Sequence, residues 1–145
     1  DQFIIQNRIT WQNRNAFNKS KTPTWKNQSG DIWFVTKSDD FLFNSHAVSL
    51  QSDREELIQD REKKSQTNFW MDIPKVNDQN SRISNKLYLK LLEASSFKLN
   101  WVLDPFMRNG DVGVNSKKLG RRFIGFEANK DLLLFSMKRI DQRVE

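Results

Sequence analysis

The chain has 145 residues, enough for one modest domain or a large part of one; its 37% hydrophobic and 29% charged side chains suit a globular core and argue against a disordered chain. Cysteine is absent, which excludes a disulfide framework and any thiolate metal site and leaves a reducing, cytoplasmic home as the plain expectation. The formal charge is +6, concentrated in residues 81–145, where thirteen basic side chains face seven acidic ones; a polyanionic partner such as DNA and ordinary solubility charge explain this equally well.

The chain opens at Asp1 with no basic stretch followed by an apolar one, so no secretory signal is legible, and it reads as processed or cut from a longer protein. No apolar run approaches the ~20 residues of a membrane span, so no membrane partner is expected. Residues 3–11, rich in β-branched and aromatic types, predict a strand. Residues 12–30 have loop composition, and 31–37 predict a second, largely buried strand. After a turn at Ser38-Asp39-Asp40, residues 41–44 suit a short third strand. Residues 52–66 are charged, with only Leu57 and Ile58 apolar, and read as an insertion or connecting segment. Asn68 to Ile73 suits a short extended piece ended by Pro74, and 75–84 is polar loop.

The last third is more regular. A helix is predicted from about 85 to 96, and Trp101-Val102-Leu103-Asp104 reads as a buried parallel strand stopped by Pro105. Residues 111–119 predict a helix closed by Gly120, 123–127 another buried strand, and 129–140 an amphipathic helix with Leu132, Leu133, Phe135, Met137 and Ile140 as its apolar positions. Strand–loop–helix–strand–helix is the unit of an open α/β sheet, which binds ligands at the C-terminal ends of its strands, here Asp104 and Glu127.

Residues 101–127 run Trp-Val-Leu-Asp-Pro-Phe-Met-Arg-Asn-Gly-Asp-Val-Gly-Val-Asn-Ser-Lys-Lys-Leu-Gly-Arg-Arg-Phe-Ile-Gly-Phe-Glu. This resembles the cofactor motif of the DNA amino-methyltransferases, which act on adenine N6 or cytosine N4. That motif has Val-Leu-Asp-Pro-Phe-x-Gly-Ser-Gly-Thr-Thr, then a helix ending Lys-Lys-Leu-Gly-Arg, then Phe-Ile-Gly-x-Glu. Upstream, Arg8 to Trp11, Trp25 to Asn27, Asp31 to Phe34, Ser38 to Asn44, Asn68 to Ile73 and Leu91 to Ser96 also resemble the family, so the likeness covers nearly the whole chain and is weakest between 45 and 67.

The resemblance implies an α/β, incomplete Rossmann-like fold dependent on S-adenosylmethionine, with 101–104 and 123–127 beside the antiparallel strands 3–11 and 31–37. It implies one partial domain: a β-rich part over 1–50, a charged insertion over 51–84 and a cofactor-binding part over 85–145. Asp104, Phe106, Gly110 and Glu127 occupy cofactor positions, with Glu127 as acceptor for the ribose hydroxyls. Arg108 stands at the first loop glycine, Asn109 at the following Ser, and Asp111 and Val112 at the two Thr. An arginine there either fills the pocket or swings out to solvent. Gln79 to Ser84 matches almost nothing of the family's His-Pro-Thr-Gln-Lys-Pro.

The family's reaction loop, Asp/Asn/Ser-Pro-Pro-aromatic, has no counterpart, because Pro23, Pro74 and Pro105 are isolated. No residue of this chain is therefore a catalytic candidate, and the loop is expected before residue 1 or from a second subunit. Lys19, Lys21 and Lys26, interleaved with Phe17 and Trp25, either line a DNA cleft or belong to a solvated loop. His46 is the sole histidine and suggests no metal site. Three functions stay open: a fragment of a DNA methyltransferase in a modification system, an inactive relative that binds DNA or a protein partner, and a decayed fragment with an open sheet edge.

Overall fold

Isoleucine, threonine and tryptophan over the first dozen residues favour extended backbone, and they form strand β1 (Ile4–Gln12). The computed structural model describes residues 2–13, 25, 28–44, 67–76 and 83–142. These fall into two units, one holding the described residues of Asp1–Leu42 and Asp53–Ser84, the other those of Phe43–Ser52 and Asn85–Glu145. In the first unit β1 pairs antiparallel with β2 (Ser29–Thr36), and a register shift between Ile5 and Asn7 interrupts the ladder. Strand β3 (Phe69–Trp70) adds parallel to the other edge of β1.

Buried Trp11, Trp70 and Ile73 form the apolar centre of this unit. The indole of Trp11 lies against Gly30, where a Cβ would collide with the ring. On the opposite face Arg8 grips Asp31 through Nε–Oδ1 at 3.2 Å and Nη2–Oδ2 at 2.9 Å, and the Thr10 hydroxyl donates to Asp31 Oδ1 at 3.0 Å. The hydrogen bond from Arg8, then that from Thr10, holds the Asp31 carboxyl below its usual pKa. Strand β2 is half-exposed rather than largely buried, since only alternate residues turn inward. The expected strand at 41–44 is absent: Phe41 meets Phe34 edge-on at 5.4 Å, and the Asn44 amide donates to the Ala94 carbonyl at 2.7 Å, so this stretch makes no ladder.

The second unit contains helix α1 (Asn85–Ser95), strand β4 (Trp101–Asp104), helix α2 (Asp111–Lys118), strand β5 (Arg122–Gly125) and helix α3 (Lys130–Asp141). Strands β4 and β5 are parallel neighbours, with Leu103 opposite Ile124 and Asp104 opposite Gly125. Helix α2 packs on both strands and on α1 and α3. Close packing at its centre depends on Gly113, where a Cβ would come within 2.5 Å of Ile140 Cδ1. Arg121 ties the unit together, donating through Nη2 to the Ser96 carbonyl at 2.7 Å and through Nε to the Ser96 hydroxyl at 3.2 Å.

Two expectations fail here in the same way. Strands β4 and β5 alternate between half-buried and exposed residues instead of being buried, and on α3 only Ser136 is buried while Phe135 and Met137 are exposed. A parallel strand reads as a continuous apolar run because both its faces are suited to burial, yet Trp101, Leu103 and Ile124 remain exposed on the face that alternates with Val102 and Phe123. Hydrogen bonding among the described residues also joins the strands into two sheets, β2-β1-β3 and β4-β5, and no ladder links them. No helix among the described residues is long and apolar enough to cross a membrane.

Candidate functional site

Parallel pairing brings two carboxylates to the same end of one sheet. Asp104 is the last residue of β4. Past the end of β5 the Phe126 amide still donates to the Asp104 carbonyl at 3.0 Å, and the Met107 amide donates back to the Phe126 carbonyl at 2.9 Å. Glu127 follows two residues beyond the strand, so Asp104 and Glu127 lie at the same end of adjacent strands.

Between β4 and α2 the chain makes a tight loop. The Asp104 carboxylate accepts the Phe106 amide at 3.0 Å, turning the chain at Pro105. Phe106 is exposed and Met107 is buried. Arg108 has φ +50°, a left-handed conformation that an L-residue with a bulky side chain rarely adopts. Gly110 has φ +80° and caps α2, its amide donating to the Met107 carbonyl and its carbonyl accepting from the Val114 amide, each at 2.9 Å. A Cβ at Gly110 would sit 2.9 Å from Ser136 Cβ, so α3 runs directly behind the loop.

Glu127 Oε1 accepts the Asn129 amide at 2.9 Å. Asn129 in turn caps α3, its Oδ1 accepting from the amides of Asp131 at 2.9 Å and Leu132 at 3.1 Å. Asn129→Ala is expected to lower stability by about 1 kcal/mol in a thermal or urea melt, since two helix amides lose their acceptor.

The family described as DNA methylase, of the N6/N4 type, matches residues 1–138. The chain belongs to this family. It is 27% identical over 155 aligned residues to the type II methyltransferase M1.MboII of Moraxella bovis, covering 88% of this chain and 59% of that one. It is 41% identical over 56 residues to the type II methyltransferase M2.DpnII of Streptococcus pneumoniae, covering 39% and 21%. Among solved structures it matches M1.HpyAVI in its SAM complex with a TM-score of 0.67 and 23% identity, over 96% of this chain and 63% of that one. The fold is the α/β Rossmann-like methyltransferase fold, and the chain spans less than two thirds of the length of these relatives.

Of the candidate residues in this DNA methylase chain, Asp104, Phe106, Gly110 and Glu127 come together around the β4–α2 loop and the end of β5. Lys19, Lys21, Lys26 and His46 lie outside the described residues, as do most of Gln79 to Ser84. Sequence reasoning missed two side chains near the loop. Arg139 Nη1 donates to the Asn109 carbonyl at 2.5 Å and to Asp111 Oδ1 at 3.0 Å, clamping both to α3. A signal for it exists: Arg139 follows Leu133 and Ser136 at helical spacing, on the least exposed side of the helix.

The second is Tyr88 on α1. Burial first, and then the carboxylates of Asp111 and Asp104, push its phenol up to about 12, while Arg108 acts in the opposite sense. Because the folded value lies above the ordinary one of 10.0, Tyr88 contributes stability that is complete below pH 10 and is lost as pH rises toward 12. Tyr88 is the sole tyrosine, so tyrosinate absorbance reports it directly. A native-state midpoint near 10 would show that the phenol is solvated, and Tyr88→Phe is expected to remove the alkaline destabilisation.

Proposed function

We propose that the chain is the cofactor-binding portion of a site-specific DNA methyltransferase, working in a modification system with S-adenosylmethionine on an exocyclic amino group of adenine or cytosine. The observation that carries this reading is Asp104 at the end of β4 with Glu127 two residues past the end of its parallel neighbour β5, beside a loop with left-handed residues at 108 and 110. The residues present fit the cofactor. Arg108 keeps the backbone conformation that suits glycine, so the loop retains its course despite the substitution. Glu127 engages one oxygen with Asn129 and keeps the other free of protein donors among the described residues, ready to accept ribose hydroxyls. Phe106 offers an exposed ring at the rim, and Gly110 keeps the loop close to α3.

The cofactor, when bound, supplies an electrophilic methyl group. This chain's own residues bind and orient it, and the Pro-Pro-aromatic loop that receives the target base comes from another segment or a second methyltransferase subunit. We read residues 1–145 as one partial methyltransferase domain of a cytoplasmic protein, with Lys19, Lys21 and Lys26 toward DNA phosphates. Glu127→Ala is expected to weaken S-adenosylmethionine binding at least about tenfold by calorimetry, as ribose loses a charged acceptor, while the melting midpoint scarcely moves. Unchanged affinity would sink the reading.

A second reading, an inactive relative that binds DNA or a protein partner, is favoured by Arg108 at the first loop glycine. Absence of cofactor binding, together with DNA affinity that falls steeply with salt, supports it.

A further inference from the structure

The loop between β4 and α2, residues 105–110, carries a single charged side chain, Arg108. It is exposed, holds a left-handed φ of +50°, and makes no hydrogen bond or ion pair among the described residues. Sparsely populated backbone at a residue with no structural partner points to a functional role. Two carboxylates beside the loop keep their negative charge: among the described residues Asp104 and Glu127 are held only by backbone amides, those of Phe106 and Asn129. The third acid, Asp111, faces Arg139. The Arg108 guanidinium stays within this group of charges. The Tyr88 phenol lies within electrostatic reach of Asp111, Asp104 and Arg108 together, with Arg108 opposing the two acids.

In a sheet of this kind the acid past the second strand meets the ribose hydroxyls. The loop after the first strand meets whatever the ribose carries at its 5′ carbon. For S-adenosylmethionine that is a tail with two cations, the sulfonium and the ammonium, and one anion, the carboxylate. The acids at the site suit the cations. They repel the carboxylate, which needs a cation of its own. A guanidinium offers a planar fork matched to the two oxygens of a carboxylate.

We propose that Arg108 anchors the tail carboxylate of the adenosyl ligand, a side-chain contact at a position where the family's motif has glycine. The inference rests on the reading of this loop as an adenosyl site. The substitution makes the chain selective: a tail that keeps its carboxylate is held, and one that has lost it meets an unanswered positive charge.

Calorimetry on the full chain tests this with S-adenosylmethionine and with its decarboxylated form, which keeps the adenosine, the sulfonium and the ammonium. The variants are Arg108→Gly and Arg108→Asn, both suited to left-handed backbone, and Arg108→Lys, which keeps the charge without the fork. The native chain is expected to favour S-adenosylmethionine. Arg108→Gly and Arg108→Asn should shift the ratio of dissociation constants toward the decarboxylated ligand by about fivefold or more, and Arg108→Lys should shift it less. Most of the shift should persist at high salt, where charges that do not touch are screened. A merely structural role would change both affinities by one factor, so the same ratio in the native chain and in both uncharged variants overturns the anchor and leaves the adenosyl site standing. A shift that vanishes at high salt also overturns the anchor, since it marks a charge acting from a distance. Failure of the native chain to bind either ligand overturns it together with the adenosyl site.

Discussion

Gly110→Ala is expected to lower the stability of the chain by about 2–4 kcal/mol in urea unfolding and, on the proposed reading of the loop, to abolish S-adenosylmethionine binding. Two independent effects add. The residue has φ +80°, where any side chain is strained by ~1 kcal/mol. The new Cβ would also stand 2.9 Å from Ser136 Cβ and 3.2 Å from Ile140 Cδ1. Ser136 is fully buried and donates its hydroxyl to the Leu133 carbonyl at 2.8 Å, so α3 cannot yield without repacking on α2. Overpacking of this kind costs about 1–3 kcal/mol. Adding Ser136→Gly to Gly110→Ala should restore part of the loss by removing the opposed Cβ, and a double-mutant cycle measures that coupling. A loss below about 1 kcal/mol would mean that the loop moves away from α3 freely and is not packed against it.

The contrast with Arg108 shows what in this loop was legible. The contiguous stretch from Trp101 to Glu127 carried strand, turn, helix and strand, the unit of a parallel α/β sheet, and β4, α2 and β5 stand where that order put them. The adjacency of Asp104 and Glu127 followed from the short crossover between them. Burial was not legible, because Trp101 and Leu103 are as apolar as Val102, and composition does not say which face a neighbour covers. Phe41, Leu42 and Phe43 have the bulky apolar side chains of a strand, but no strand among the described residues pairs with them, and Phe41 packs on Phe34 instead. Helical spacing puts Arg139 near Ser136, but its partner Asp111 lies 28 residues away, and no local pattern names that partner.

That clamp gives the second large effect. Arg139→Met is expected to lower stability by about 2–4 kcal/mol and to weaken adenosyl-ligand binding in parallel. Methionine keeps an apolar stem beside the Phe135 ring, over which the guanidinium now lies at 5.6 Å, so the change isolates the charge. The side chain of Asp111 is 6% exposed and that of Arg139 22%. Without Arg139 the buried Asp111 carboxylate loses this counter-charge, and the Asn109 carbonyl loses the same donor. Removing one member of a buried pair is more destructive than removing both, because the surviving charge keeps its desolvation penalty. Asp111→Asn combined with Arg139→Met should therefore be more stable than Arg139→Met alone, and the difference in urea midpoints at constant m-value measures the stranded charge. Ligand affinity separates two roles for the arginine. If it only neutralises Asp111, the double substitution restores binding along with stability. If it also holds residues 107–110 through the Asn109 carbonyl, stability returns and affinity does not, and the bond from Arg139 to Asn109 predicts the second result.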